Sequence, residues 1–131
     1  MNTKLIMTAA SIVLGVTGIA LSFLSQEILA ILSEQTTPTL TVILQLLGAL
    51  YFGFAMLNWM AKDSLLGGIY GRPIVAANVS HFFIGALALL KVLFQHHEII
   101  LWIVTIVYTL FAVLFSLIMY NNPKNKDTVA S

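Results

Sequence analysis

Three polar side chains interrupt apolar runs of this chain: Asn58, Asn78 and His81. Polar groups in such surroundings are costly and must find partners, so each marks either a binding site or a structural contact. Asn78 and His81 are three residues apart, which on a helix puts them on one face. An imidazole can donate, accept or carry a proton near neutral pH, and a carboxamide both donates and accepts. Together these groups describe a polar pocket for a headgroup, a quinone-like ring or a proton. The competing reading is a set of interhelical hydrogen bonds, a common use of Asn and His in membranes. The residues alone leave both open.

Between Asn58 and Asn78 lies a short polar stretch holding Asp63 and the run Gly67-Gly68-Ile69-Tyr70-Gly71-Arg72-Pro73. Backbone N–H groups of a glycine-rich run ahead of a helix can cradle a phosphate. No lysine stands in the Walker position, so a flexible turn and helix cap is the plainer expectation. Arg72 suits a lipid phosphate. The candidate ligand-binding set is therefore Asn58, Tyr70, Arg72, Asn78 and His81. His96 and His97, beside Glu98, could hold a metal weakly, but a solvated turn is the plainer expectation. No second histidine sits in another apolar run to pair with His81, which speaks against haem. No metal site is expected, and no cofactor can be named.

Enzymatic signals are few. There is no Ser-His-acid spacing and no nucleotide fingerprint. The chain has no cysteine, which excludes thiol redox chemistry, disulfides and thiolate metal sites together.

These polar residues need elements to carry them, and composition says what kind. Of 131 residues, 60% are hydrophobic and 8% charged, with a mean hydropathy of +0.99. A soluble domain carries about 25% charged residues. A chain this short cannot hide so much apolar surface in one water-solvated core. Lipid is the expected solvent for most of its exterior, in a single transmembrane domain. The net charge of +1 and the lack of a basic patch leave no case for nucleic acid as a partner.

A crossing helix needs about 20 apolar residues, and four segments qualify, over about 5–24, 40–61, 74–94 and 99–120, with an inner loop at 62–73. The expectation is an all-α integral membrane four-helix bundle. A cleaved signal peptide is the alternative for the first segment; its apolar stretch is longer than a usual signal core, which favours an uncleaved helix. Residues 26–33 either extend the first span or form a short interfacial stub. Orientation follows from the basic residues. With the N-terminus inside, Lys4, Lys62, Arg72, Lys124 and Lys126 all fall on the cytoplasmic side and only Lys91 outside. Both ends are then cytoplasmic (N-in/C-in), in a bacterial inner membrane, with Asn58, Asn78 and His81 in the cytoplasmic half. Trp59 and Tyr120 mark the inner interface and Trp102 the outer one.

Helices meet in lipid through small residues. The expected contact faces are Ser11, Gly15, Gly18 and Ser22 in the first span and Ala49 and Gly53, with Gly48 beside them, in the second. The third offers Ala77, His81 and Gly85, and the fourth Thr105, Thr109, Ala112 and Ser116. Lys91 lies near a span end, where its stem can snorkel to the headgroups. Gln45, Tyr51 and Tyr108 could add partners nearer the midplane.

The stretch from Tyr51 to Lys91 carries Asn58-Trp59-Met60, Gly67-Gly68-Ile69-Tyr70-Gly71-Arg72-Pro73, Asn78 and His81. In these motifs, over about a third of the chain, it resembles a family of small bacterial four-helix membrane proteins, itself similar to the DoxX-like group. The resemblance implies an even number of short spans. It implies roles such as those of group members linked to quinone-dependent oxidoreductase complexes, or of animal relatives that look like assembly factors. It brings no catalytic residues. The leading expectation is an accessory subunit, or a binder of a quinone- or lipid-like ligand, with a membrane protein partner or a second copy as company. The alternative is a small transporter with His81 as its proton or substrate site, weakened by the lack of any Asp or Glu within a span. An enzyme ranks third.

Overall fold

A backbone removed from water has to satisfy its own N–H and C=O groups, and a helix does so within one segment. The computed structural model describes residues 2–32, 36–64, 71–95 and 98–121. Among these it forms five helices and no strand: α1 (Thr3–Phe23), α2 (Ser25–Leu32), α3 (Pro38–Ala61), α4 (Gly71–Leu93) and α5 (Ile99–Asn121). Helices α1, α3, α4 and α5 hold 21, 24, 23 and 23 residues and are long and apolar enough to cross a membrane. At 1.5 Å per residue they measure roughly 31 to 36 Å, against a hydrocarbon core of about 30 Å.

The helix ends follow local chemistry. The Asn2 side chain accepts from the Leu5 N–H at 3.2 Å and caps α1. Thr37 does the same for Leu40 at 3.3 Å, and Pro38 opens α3 where an N–H has no acceptor anyway. Gly71 and Arg72 were expected in the inner loop but belong to the first turn of α4. Pro73 permits this, because the first turn of a helix has no intrahelical use for its N–H. Between α1 and α2 only Leu24 departs from helical geometry (φ −112°, ψ 27°). Its N–H still bonds the Ala20 carbonyl, and its own carbonyl accepts from Ile28. Residues after it therefore form a separate short helix, with Ser25 and Leu29 buried and Gln26 and Glu27 exposed.

The chain divides into two compact units, at Asp63 and Ser64. In the first, α1 and α3 run antiparallel and touch along a stripe of small residues. The Ser11 hydroxyl donates to the Ala55 carbonyl at 2.7 Å. A Cβ placed on Gly15 would lie 3.5 Å from the Ala55 Cβ, an ordinary contact. On Gly18 it would stand 2.7 Å from the Phe52 nitrogen and 2.8 Å from the Gly48 oxygen. On Gly48 it would stand 2.7 Å from both the Gly18 oxygen and the Ser22 nitrogen. These neighbours are backbone and cannot rotate away, so glycine at 18 and 48 is what lets the two helices approach.

The α1 face is thus the expected one, Ser11, Gly15, Gly18 and Ser22. The α3 face differs. Gly48 and Ala55 make the contact, Ala49 is exposed, and a Cβ on Gly53 would meet nothing within 4 Å. Gly48 and Ala55 are seven residues apart, two full turns, whereas Ala49 and Gly53 are offset around the helix from both. The opposite side of α1 carries exposed Leu5, Ile12, Val16 and Ile19, a helical stripe suited to lipid.

The α1–α3 packing has a direct check. Disulfides form at Cβ separations of about 3.5–4.5 Å, and the chain has no cysteine of its own. The double variant Gly15→Cys/Ala55→Cys is expected to crosslink within one chain on mild oxidation in membranes, seen as a reductant-sensitive gel shift. Gly15→Cys/Gly53→Cys is expected not to. Equal crosslinking of both pairs would contradict the register.

Candidate functional site

The second unit places the chemistry-bearing residues of α4 against α5. These helices are also antiparallel, but they meet through rings. Phe82 is fully buried at the centre. It stacks on Phe111 (centroids 4.9 Å, planes 25° apart) and on Phe115 (5.6 Å, 10°). Tyr108 meets it edge-on at 5.4 Å. Such pairs contribute about 0.5–1.5 kcal/mol each beyond burial. Gly85 makes room for the tyrosine: a Cβ there would lie 2.5 Å from Tyr108 Cε1 and 2.7 Å from Cδ1. The tyrosine ring therefore lies against the α4 backbone.

That position directs the phenol toward His81. Tyr108 Oη and His81 Nε2 are 3.5 Å apart, at the outer limit of a hydrogen bond. The rings are tilted at 45° with centroids 5.7 Å apart, and His81 also meets Phe82 edge-on at 5.1 Å. With Nε2 unprotonated the phenol donates; with Nε2 protonated the imidazole donates. A proton can pass between the two rings through this contact, and His81 is half-buried.

Asn78 is fully buried one turn before Phe82, and its amide donates to the Ile74 carbonyl at 2.9 Å. Asn58 belongs to the first unit. It too is fully buried and donates to its own helix, at the Phe54 carbonyl, 3.0 Å away. Among the described residues no buried side-chain nitrogen or oxygen lacks a hydrogen-bond partner. Threonines follow the same habit, with Thr8, Thr17, Thr41 and Thr105 all donating to the carbonyl four residues earlier. In lipid this is how a polar side chain avoids an unmet hydrogen bond.

Of the residues expected to form one site, the second unit carries Asn78 and His81 on one helix. Arg72 is exposed in the first turn of α4, about 13 Å along the axis from His81, and so does not share its surroundings. Tyr70 lies outside the described residues, as do Gly67, Gly68, His96 and His97. Gln45 is exposed and Tyr51 half-buried. Lys91 is exposed in the last turn of α4, as snorkelling requires.

The aromatic cluster was not expected. Its signal was present: Tyr108, Phe111 and Phe115 are spaced by three and four, one helical face. The small-residue face of α5 drew attention instead, and it splits. Thr105 and Ala112 are buried, whereas Thr109 and Ser116 are exposed and line an open apolar groove between α4 and α5. The groove holds about 500 Å³ and is walled by Phe83, Leu87, Leu90 and Val113. A second hollow of about 440 Å³ shares Leu90, Thr109 and Val113 with it and continues to Trp102.

No family model, no curated protein and no solved structure matches the chain.

The Tyr108–His81 arrangement depends on Gly85. Gly85→Ala is expected to displace the tyrosine ring and lower unfolding stability in detergent by about 1–3 kcal/mol, as overpacking does. Tyr108→Phe keeps the ring and is expected to lose only about 1 kcal/mol. Thermal unfolding followed by near-ultraviolet circular dichroism separates the two. A Gly85→Ala protein as stable as the parent would refute the ring-on-backbone contact.

Proposed function

We propose that this chain is a multi-pass protein of the bacterial inner membrane, similar in kind to the DoxX-like group, that holds a lipophilic ligand or serves as an accessory subunit. Four helices long and apolar enough to cross a membrane support the membrane reading. The basic residues support an orientation with both ends in the cytoplasm, since five of the six fall on that side. The ion pair from Lys4 to Asp63, 2.6 Å long, holds the start of α1 and the end of α3 at the same end of the first unit.

One observation carries the ligand reading: His81 and Tyr108 come within hydrogen-bond reach inside two apolar helices, each meeting the Phe82 ring edge-on. An imidazole and a phenol are groups that can hydrogen-bond a ring carbonyl or hydroxyl. Asn78 lies three residues before His81 on α4 and is buried. The accessory-subunit reading has its own support in the α4–α5 groove. Its lining includes the small residues Ala86, Thr109, Ala112 and Ser116, the residue types that admit a partner helix in lipid. In the transporter alternative, His81 instead carries the coupling proton.

The test is native mass spectrometry of gently purified protein. A lipid- or quinone-sized adduct is expected on the parent and is expected to be lost in His81→Ala and weakened in Tyr108→Phe. An adduct that survives His81→Ala unchanged would sink the His81 site. A second polypeptide at fixed stoichiometry would favour the accessory reading, and a bare monomer would move the transporter reading forward.

A further inference from the structure

We propose that the end of the first unit, where α1 begins and α3 finishes, is a binding site for the phosphate of an anionic lipid headgroup, with the Lys62 ammonium as the contact. Two ammonium groups, Lys4 and Lys62, and one carboxylate, Asp63, sit at this end. Lys4 and Asp63 take each other, and both are largely exposed. The hydrogen bond from Lys4 holds the Asp63 carboxyl below the ordinary carboxylate range; desolvation opposes it, and the charges of Lys4 and Lys62 add to it. The carboxylate is therefore already engaged by Lys4, and among the described residues at this end one positive charge, that of Lys62, has no carboxylate in an ion pair with it.

That charge is held in place. Lys62 Nζ stands 3.0 Å from the centroid of the Trp59 ring. A cation over an indole face is attracted by the ring quadrupole, which fixes the ammonium without neutralising it. The ring blocks one side of the ammonium and leaves N–H donors facing away from it. Trp59 and Met60 are exposed in the last turn of α3. This is the depth at which tryptophan sits beside headgroups and at which a lysine finds lipid phosphates. The complement of a fixed, uncompensated ammonium at that level is a phosphate monoanion carried by lipid.

This inference rests on the membrane reading but not on the His81 site. The experiment is incorporation into nanodiscs of equimolar phosphatidylcholine and phosphatidylglycerol, followed by native mass spectrometry of the lipids retained on ejection. The parent is expected to retain phosphatidylglycerol preferentially. Lys62→Gln is expected to lower the ratio about fivefold, Lys62→Arg to preserve it, and Lys91→Gln, at the end of α4, to leave it unchanged. No preference in the parent, an undiminished preference in Lys62→Gln, or an equal fall in Lys91→Gln would each overturn the proposal. A chain that fails to enter the disc would defeat the membrane reading itself, so the two failures are distinguishable.

Discussion

A peptide group in lipid has no water to fall back on, and that one constraint organises this chain. It accounts for four long helices rather than strands with open edges. It accounts equally for the polar side chains, which turn back onto their own helices. Asn58, Asn78 and four threonines donate to the carbonyl four residues earlier. The hydroxyl of Ser11 instead crosses to Ala55 on another helix. Interhelical hydrogen bonds of this sort contribute only about 0.6 kcal/mol on average, so close packing has to carry most of the association.

The two helix pairs meet that demand in different ways. Helices α1 and α3 bring their backbones together over Gly18 and Gly48, with little side chain between them. Helices α4 and α5 are joined through Phe82 stacked on Phe111 and Phe115, with Gly85 cut away to seat Tyr108. The first brings one buried hydroxyl, that of Ser11, to a carbonyl on the facing helix. The second sets an imidazole and a phenol against the buried Phe82 ring. The imidazole and phenol accompany the aromatic pair, and the charged groups Lys4, Lys62 and Asp63 accompany the glycine pair.

Much of this was legible in the residues. Length and apolarity alone located the four long helices, because a span needs a fixed run of apolar residues whatever its neighbours are. Ser11, Gly15, Gly18 and Ser22 announced their face by spacing. On α3 spacing misled, since Ala49 and Gly53 also read as a small-residue pair while Gly48 and Ala55 make the contact. Two candidate stripes on one helix differ only in which partner they meet, and that is a tertiary fact. The same holds for Tyr108. Its place beside His81 follows from the space at Gly85, twenty-three residues away, and no local pattern encodes it. Arg72 was misplaced for a simpler reason: Pro73 reads as a helix start, yet a proline is tolerated two residues inside one.

If the long helices are spans, Asn2 and Ser64 lie on one side of the membrane and Gln95 on the other. Single cysteines introduced at Asn2, Ser64 and Gln95, in a chain that has none, can be challenged with an impermeant maleimide in intact bacterial cells. The expected result is labelling of Gln95→Cys in intact cells and of Asn2→Cys and Ser64→Cys only after the membrane is opened. Labelling of Ser64→Cys and Gln95→Cys from the same side would mean that α4 does not cross, and would contradict the account.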